Sequence, residues 1–496
     1  MANARHDTGD LPNLTGLGGA RPHHSAGYRV RHRARTIIVC LMAAALVFAG
    51  TVAAAVWTDI GSAVKDGELK LNLSGSSKVD ESLTDFNAGK PVNILLIGQD
   101  SREGDGNSSI GGSQADVQGL HNADTTMVMQ IAADRKTISL VSIPRDSLVD
   151  VPSCETTAGT IPAQYGVQFN AIFPNAYAMG GLASATSCTL NAVNSLTGLD
   201  IGNVVVVDFQ GLSGMIDALG GVDLCIPEAI QDYNTGLNLA AGMQHLDGMA
   251  ATQYARVRYS VGDGSDIMRT TRQQYLIKQL LNEARNKNLF TQTGQLYQLA
   301  KQALQSLNIS SGLADISTLA GLAMSLKNLD SNGLQAQTVP IMPAPEDPNR
   351  RVWTADADAL WAKMRKGEPI FQSSAHASSH GGEATEGTDA GDSGNAGDGT
   401  GASVAPGDDG TAADTVVPQE TTPSATGGDI ASRIQGLSPD ATTGLISLDD
   451  GTLVDPETKG IVDPQSGAIR DSTTGEFIGM ADRYLNTTVC AVPAQK

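Results

Sequence analysis

Short apolar runs alternate along the chain with longer segments in which apolar residues recur every three or four positions. The first pattern is typical of buried strands and the second of helices. The runs that predict strands are Val92–Ile97, Thr125–Ile131, Thr137–Ile143, Val204–Val207, Val222–Ile226 and Leu334–Ile341. The segments that predict helices are Phe169–Leu196, Gly211–Leu219 and Asp356–Lys366, with further helical patterns up to about Leu329. This alternation predicts an α/β class in which helices cover a mixed sheet.

One apolar run is far longer than the others. Ile37–Trp57 is almost entirely apolar over 21 residues, which as a helix spans about 30 Å, the thickness of a bilayer core. An arginine-rich segment precedes it, so the N-terminus is expected in the cytoplasm and the rest of the chain outside. A cleaved signal peptide is the alternative, because Ala53–Ala55 could form a cleavage site. The long basic segment and the apolar length favour an uncleaved anchor.

Composition divides the remainder. No Lys or Arg occurs between Lys366 and Arg433, where Gly, Ser, Ala, Thr, Pro and acids dominate, so this stretch cannot bury a core. After it, Asp455, Asp463 and Asp471 recur every eight residues, which favours turns between very short strands over calcium loops. The expected regions are a disordered cytoplasmic tail 1–34, a transmembrane helix 35–57, a stalk 58–88, a main extracellular domain 89–370, an acidic disordered linker 371–430 and a small turn-rich tail 431–496.

Cysteine usage agrees with an oxidising compartment. Of the five cysteines, Cys40 lies within the apolar run and four follow it. An even number outside the membrane predicts two disulfides, and three pairings are possible. The pairing favoured here joins Cys154 to Cys188 and Cys225 to Cys490. Cys-x-x-Cys motifs are absent and the histidines are scattered, which argues against a zinc site.

A basic segment stands out because the chain as a whole carries a formal net charge of −20. Tyr254–Gln274 contains four arginines, at positions 256, 258, 269 and 272. An extended segment would direct Arg256 and Arg258 to one side. A helix capped by Ser265 or Asp266 would place Arg269, Arg272 and Gln273 on one face. A solvated charged surface is the simpler alternative, but same-side spacing on two adjacent elements makes an anion site equally well supported.

Carboxylates at the predicted strand ends could bind a metal ion beside such an anion site. Asp100, Asp124 and Asp146 each stand where a strand begins or ends, with Arg102 and Arg145 beside them. Two or three carboxylates can hold Mg²⁺ while it keeps several waters, and arginine forks match phosphate oxygens. The sequence lacks GxxxxGK[ST], HExxH and GxSxG, and its negative charge argues against nucleic-acid binding. A phosphate ligand bound together with a metal ion is therefore expected.

Eight blocks in order resemble the LytR–CpsA–Psr (LCP) phosphotransferases of Gram-positive, here expected actinobacterial, cell envelopes. The resemblance runs from about Asn93 to Gln274. The blocks are Asn93–Arg102, Ala123–Met127, Ser142–Asp146, Val207–Gly211, Leu219–Val222, Gly242–Gly248, Tyr254–Arg258 and Asp266–Gln274. The family implies a three-layer α/β/α domain with a mixed central sheet behind one N-terminal transmembrane helix. It also implies an apolar pocket for a polyprenyl tail, with the diphosphate at its mouth.

The resemblance also assigns roles to residues. It implies that Asp100 and Asp124 hold Mg²⁺, with Mn²⁺ as an alternative. Catalytic roles fall to Arg145, Arg256 and Arg258. The residues implied to bind the diphosphate are Arg102, Asn122, Arg145, Arg256, Arg258, Arg269, Arg272 and Gln273. Two positions depart from the family: Asn122 replaces a frequent Arg and Gln168 replaces a frequent Lys, so one phosphate contact is weakened or supplied elsewhere.

The function expected from this resemblance is transfer of a glycopolymer from a polyprenyl-diphosphate carrier to a hydroxyl of peptidoglycan or another wall acceptor. The protein would be a single-pass membrane protein with its catalytic domain outside. A non-catalytic lipid-carrier-binding scaffold or regulator is the first alternative, kept open by Asn122. An extracellular polyprenyl pyrophosphatase, or such a side activity, is the second.

Overall fold

The computed structural model describes residues 58–63, 67–71, 89–101, 121–258, 264–286, 307–314, 333–371 and 430–491, with isolated positions between them. The chain divides into two compact units, residues 1–63 and 64–496. Across the described residues, no helix is both long and apolar enough to cross a bilayer. The expected anchor Ile37–Trp57, the N-terminal tail and most of the acidic linker lie outside the described residues.

The main part of the second unit contains seventeen described strands. In chain order they are β1 Glu68–Leu69, β2 Val92–Ser101, β3 His121–Ile131, β4 Ile138–Ser142, β5 Leu148–Val151, β6 Cys154–Thr156, β7 Gly159–Ile161, β8 Gln164–Gln168, β9 Asn203–Val207, β10 Val222–Ile226, β11 Ile230–Asp232, β12 Leu237–Leu239, β13 Gly242–Leu246, β14 Leu307–Ser310, β15 Leu334–Thr338, β16 Ile341–Pro343 and β17 Arg351–Trp353.

The described helices of this part are fewer and longer. They are α1 Ile172–Thr197, preceded by a 3₁₀ turn Phe169–Ala171, α2 Phe209–Leu219, α3 Gly248–Arg256, α4 Asp266–Asn286 and α5 Ala355–Arg365. The helices predicted at Phe169–Leu196, Gly211–Leu219 and Asp356–Lys366 correspond to α1, α2 and α5. Each observed helix lies within a few residues of its predicted bounds.

Seven strands form the central sheet in the order β1-β14-β9-β2-β3-β4-β15. The pairs β1–β14, β9–β2 and β4–β15 are parallel, and the other neighbours are antiparallel. The sheet is therefore mixed, as the alternation of strands and helices predicted.

Helices cover both faces of this sheet. Val141 of β4 packs in an apolar cluster with Phe173 of α1 and Trp361 of α5. Its neighbour Ser142 accepts a hydrogen bond from Gln274 of α4, at 2.8 Å. Because successive residues of a strand point to opposite faces, α4 lies on the side away from α1 and α5.

The C-terminal segment forms a five-stranded antiparallel sheet, here called the meander. Its strands are β18 Ile446–Ser447, β19 Leu453–Val454, β20 Ile461–Val462, β21 Ala468–Arg470 and β22 Phe477–Met480. A single helical turn, α6 Ile430–Arg433, precedes it, and α7 Asp482–Tyr484 with a π-helical turn Leu485–Val489 follows. Asp455, Asp463 and Asp471 each close a turn by accepting backbone N–H bonds, so turn chemistry is confirmed at these positions.

The meander does not stand apart from the main sheet. Ala468, Phe477 and Met480 share one buried cluster with Tyr254 and Tyr275. The structure contains the disulfides Cys154–Cys188 and Cys225–Cys490, which are the pairs that the sequence analysis favoured. The second bond joins the end of the chain to β10, 265 residues earlier.

Candidate active site

A β-bulge between β2 and β3 positions the first acidic residue. Gly98 pairs with Thr125 and Gln99 pairs with Ala123, so Asp124 is the extra residue between two ladder positions. Such bulges redirect a side chain, and they are common beside active sites. A Cβ at Gly98 would lie 3.0 Å from the Cβ of Thr125, so the close approach of the strands here favours glycine.

Two arginines converge on the redirected carboxylate. Arg145, in the turn after β4, donates from Nη1 to Asp124 Oδ1 at 3.1 Å. Arg269, in the first turn of α4, donates from Nη1 to Asp124 Oδ2 at 3.2 Å. A third bond runs from Arg269 Nη2 to the backbone oxygen of Asp124, at 3.3 Å. Both carboxylate oxygens of Asp124 thus contact a guanidinium.

Asp266 completes the group as a second carboxylate. Its Oδ1 lies 2.6 Å from Arg269 Nη2 and 3.0 Å from Arg145 Nε. We call Asp124, Arg145, Asp266 and Arg269 the arginine–aspartate cluster; its two positive and two negative charges balance. Sequence reasoning treated Asp266 only as a helix cap, although its i, i+3 spacing to Arg269 was a signal that it could pair with that arginine.

The cluster keeps its groups charged. Burial by itself would raise the pKa of Asp124, but the charges of Arg269 and Arg145 outweigh it and hold that pKa below its usual range. Burial would lower the pKa of Arg145, but Asp266, Asp124 and Asp146 together raise it. Asp124 is therefore an anion throughout the physiological pH range.

Arg256 and Arg258 lie differently from the expectation. The sequence predicts an extended segment here, but Arg256 is the last residue of helix α3. The segment is helical and not extended because Asp247 caps the helix, accepting a hydrogen bond from Ala250 N at 2.8 Å. An alanine-rich turn follows the cap. Arg256 lies over the ring of Phe209, 4.3 Å from its centroid. Arg258 follows the helix, and its charge also lowers the pKa of Asp124.

The two other α4 residues expected at the site, Arg272 and Gln273, form hydrogen bonds outside the arginine–aspartate cluster. Gln273 accepts from Thr125 Oγ1 at 2.8 Å and donates to the Ala255 carbonyl at 3.1 Å, so it ties α4 to β3 and α3. Arg272 is buried and donates to the carbonyl of Val257. It lies one helical turn beyond Arg269 and lines a separate groove, so only Arg269 of this pair joins the cluster.

Other expected site residues border the cluster or lie outside the described chain. Asp100 and Asn122 face each other across β2 and β3, one position beyond the bulge. Arg102 lies outside the described residues.

Asp146 extends the charged contacts beyond the arginine–aspartate cluster. Its Oδ2 lies 3.8 Å from Arg145 Nε, and its Oδ1 accepts from Gln168 at 3.3 Å. Arg350, in the loop before β17, approaches the same Oδ1 at 3.4 Å. Sequence reasoning did not find Arg350, because more than 200 residues separate it from Asp146 and no motif surrounds it.

Comparison with known proteins identifies the family. A family model described as the LytR_cpsA_psr family matches residues 57–366. The chain belongs to this family. A relative, the probable cell wall biosynthesis protein LcpB of Corynebacterium glutamicum, is 31% identical over 280 residues, which cover 55% of this chain and 61% of that protein. The match to LcpA of the same organism covers 53% of that protein.

Other relatives extend the family resemblance. The polyisoprenyl-teichoic acid–peptidoglycan teichoic acid transferase TagT of Bacillus subtilis is 25% identical over 302 residues, 60% of this chain and 83% of that protein. The solved structure of a LytR-Csp2A-Psr enzyme from Actinomyces oris is 19% identical, with a TM-score of 0.42 over 61% of this chain and 97% of the other. The chain spans about half to six-tenths of the length of the first curated relatives.

The donor chemistry around Asp124 fits a hard divalent cation. Asp124 and Asp100 offer carboxylate oxygens from neighbouring strands, and Mg²⁺ commonly takes one or two carboxylates while retaining waters. In the described part of the chain, no group of three or more His, Cys, Asp or Glu side chains is arranged to hold a metal. Both oxygens of Asp124 are already in contact with a guanidinium, so a cation there would have to replace one of these contacts.

Proposed function

We propose that this protein is a membrane-anchored, Mg²⁺-dependent LCP transferase. It moves a glycopolymer phosphate from a polyprenyl-diphosphate carrier to a hydroxyl of peptidoglycan or a similar wall acceptor. The observation that carries the proposal is the arginine–aspartate cluster, in which two guanidinium forks are held beside two carboxylates at a bulge of the central sheet. TagT, by its name, links polyisoprenyl-bound teichoic acid to peptidoglycan, and this supports the same substrate class.

The anchor belongs to this proposal as well. Ile37–Trp57 would hold the chain in the membrane with its N-terminus in the cytoplasm, so that the site faces the wall. A lipid-linked donor and a wall acceptor meet only on that side of the membrane.

The proposed chemistry asks little of the protein beyond position and charge. Arg145 and Arg269 turn their forks from Asp124 to the diphosphate oxygens, and Arg256 and Arg258 add positive charge from the end of α3. Mg²⁺, held by Asp100 and Asp124, would neutralise negative charge on the diphosphate.

The bond changes follow from the substrate. The acceptor oxygen forms a bond to the carrier-distal phosphorus, and the bond from that phosphorus to the bridging oxygen breaks. Polyprenyl phosphate leaves, and the hydroxyl proton passes to the half-buried carboxylate of Asp146 at the rim or to water beside it. Each arginine fork is expected to bind the transferring phosphate with about 1.5–3 kcal/mol per charge-assisted bond.

Substitution of Arg256 or Arg258 by Ala tests the assignment. We expect either change to abolish transfer from a radiolabelled lipid diphosphate by the full chain, while the thermal unfolding temperature stays near that of the wild type. Arg285→Ala is the control, because Arg285 lies near the end of α4, outside the cluster, and donates to the carbonyl of Leu329. Full activity in both single variants would remove these residues from the site.

A second candidate function is a non-catalytic carrier-binding scaffold. It is favoured by the neutral Asn122 and by the occupation of both Asp124 oxygens by arginine. A scaffold would co-purify with lipid diphosphate and show no turnover with any acceptor in Mg²⁺ or Mn²⁺. A pyrophosphatase would instead use water as efficiently as sugar hydroxyls.

A further inference from the structure

A groove lies between the meander and the main domain, and Arg272 of α4 is one of the residues that line it. Its volume is about 370 Å³, near the lower end of the range for small-molecule sites, which begins at about 300 Å³. Polar and charged side chains from both parts line it: Glu228, Arg272, Asp463, Gln465, Ser466 and Arg470.

Both walls of the groove are fixed in place. The Cys225–Cys490 disulfide ties the end of the chain to β10, whose neighbouring loop supplies Glu228. An ion pair joins Lys278 of α4 to Asp482 after the meander. A wall that is held by covalent, ionic and apolar contacts loses little freedom when a ligand binds, so the site is preorganised.

Arg470 is the best-placed donor in the groove. Its guanidinium lies 3.7 Å from the centre of the Phe477 ring, and Nη1 donates to the Gly475 carbonyl at 3.1 Å. These two contacts fix the plane of an otherwise flexible side chain and leave its other N–H groups for a ligand. An exposed arginine held in this way resembles a binding group more than a solvated surface charge.

The charges of the groove select among ligand classes. Glu228 and Asp463 offset Arg272 and Arg470, so an anionic phosphate would gain little net attraction there. A polyprenyl chain would have to desolvate all four charged groups without bonding to them. Hydroxyl groups both donate and accept, so they can satisfy carboxylates and guanidiniums together. The buried floor, which includes Ile230 and Met480, suits the C–H face of a sugar ring.

The position of the groove connects it to the cluster. Arg272 lines the groove and Arg269 belongs to the cluster, three residues apart on α4. A helix rises 1.5 Å per residue, so about 4.5 Å along the helix axis separates the two arginines. A ligand in the groove would therefore contact α4 within one helical turn of the arginine proposed to bind the diphosphate.

We propose that this groove is a saccharide subsite, which binds an uncharged, hydroxyl-rich sugar unit of one of the two substrates through Arg470, Gln465, Asp463 and Glu228. The inference rests on the proposed transferase function and deepens it. The sugar comes from the wall acceptor or from the glycopolymer of the donor, and both present the same hydroxyl chemistry.

Direct binding to the full chain in detergent micelles tests the subsite. The probe is the N-acetylglucosamine–N-acetylmuramic acid disaccharide, titrated by saturation-transfer-difference NMR and calorimetry. We expect Arg470→Ala to weaken binding about tenfold or more, since it removes charge-assisted bonds. Arg433→Ala is the matched control, because Arg433 lies just before the meander, pairs with Asp450 at 2.5 Å and does not line the groove.

A second variant covers the case in which Arg470→Ala loosens the meander. Gln465 has an exposed side chain, so Gln465→Ala removes a groove contact without touching the core; we expect it to weaken binding by about threefold. The proposal is overturned if the wild-type chain does not bind the disaccharide or any sugar unit of the donor glycopolymer, or if both variants bind as tightly as wild type.

Kinetics then identify the source of the sugar and separate the two proposals. A raised KM for the acceptor alone in Arg470→Ala places the acceptor in the groove, and a raised KM for the donor alone places the glycopolymer there. Unchanged values of both overturn the subsite while leaving the transferase proposal intact. Arg470-dependent sugar binding without any turnover of lipid diphosphate would instead overturn the transferase proposal and support the subsite.

Discussion

Three separate parts of the chain meet in the arginine–aspartate cluster, whereas the strands of the meander are joined by turns of only a few residues. The arginine–aspartate cluster combines residues 124, 145, 266 and 269, whose charged side chains are buried or mostly buried. The meander is built from local hairpins, and each of its turns contains an aspartate that accepts a backbone N–H following it.

The difference lies in what each region gains from its charges. In the meander an aspartate binds its own backbone two and three residues later, a bond that forms as soon as the turn does and needs no distant partner. In the cluster the pair between Asp266 and Arg269 lies within one helix, but the other ion pairs join different elements and depend on the completed fold. A ligand site therefore needs long-range assembly, while a structural appendage can use local chemistry and then be fastened at a few points.

The largest expected effect concerns the cluster. Arg269→Lys keeps the positive charge but removes the fork that reaches Asp124 and Asp266 together. We expect transfer by the full chain to fall about 100- to 1000-fold, as for loss of one transition-state donor, with little change in unfolding temperature. Arg285→Lys, at the far end of α4, is the control. Activity within threefold of wild type in Arg269→Lys would mean that the fork has no role in transfer.

The second-largest expected effect is on stability, and it concerns the disulfide that joins the end of the chain, after the meander, to β10. Cys490→Ser removes the bond to Cys225 and is expected to lower the free energy of unfolding by about 2–5 kcal/mol, because a very long loop is no longer closed. Chemical denaturation under oxidising conditions measures this. Cys188→Ser, which opens a loop of 34 residues, should cost less. An equal or larger cost for Cys188→Ser would contradict the loop-closure explanation.

A smaller effect is expected on the free energy of unfolding at acid pH. Because the pKa of Asp124 is lowered in the folded chain, its ion pairs contribute stability above the unfolded carboxyl pKa of about 4. That contribution is lost as the pH falls from there through the lowered folded value. Unfolding free energies measured between pH 7 and pH 2 should fall less steeply in Asp124→Asn than in wild type at the acid end. Parallel curves would show that Asp124 is not stabilised by its arginines.

The smallest effect belongs to one turn of the meander. Lys459 has a φ of +60°, at the turn position where Gly467 and Gly475 have φ of +66° and +73°. Glycine accepts this left-handed conformation without strain, so we expect Lys459→Gly to stabilise the meander by about 0.5–1 kcal/mol.

Gly475→Ala is the reverse test of the same turn position. A Cβ there meets no atom within 4 Å, so its expected destabilisation is purely conformational. Thermal unfolding of both variants checks the pair. Stabilisation by Lys459→Gly together with destabilisation by Gly475→Ala would support the turn assignment. Stability changes of the same sign in the two variants would contradict it.

The sequence by itself determined the α/β class, the mixed sheet, the helix that begins at Asp266 and the aspartate turns. These depend on periodicity, capping and turn chemistry, which act over a few residues. Through the family resemblance it also predicted that Arg145 and Arg269 bind phosphate, and the structure brings both of them to Asp124. Local pattern misassigned Tyr254–Arg258, because alternation suggested a strand where the Asp247 cap and an alanine-rich turn produce a helix.

Only the tertiary structure decided how the charged residues are combined. It brought Asp266 between Arg145 and Arg269, brought Arg350 to Asp146, and folded the meander back onto α4 to form a groove. Apart from the i, i+3 pair of Asp266 and Arg269, no local signal encodes these contacts, because each joins residues that only the packing of the helices on the sheet brings together. The free energy of an ion pair depends on distance and burial, and neither exists until the chain has folded.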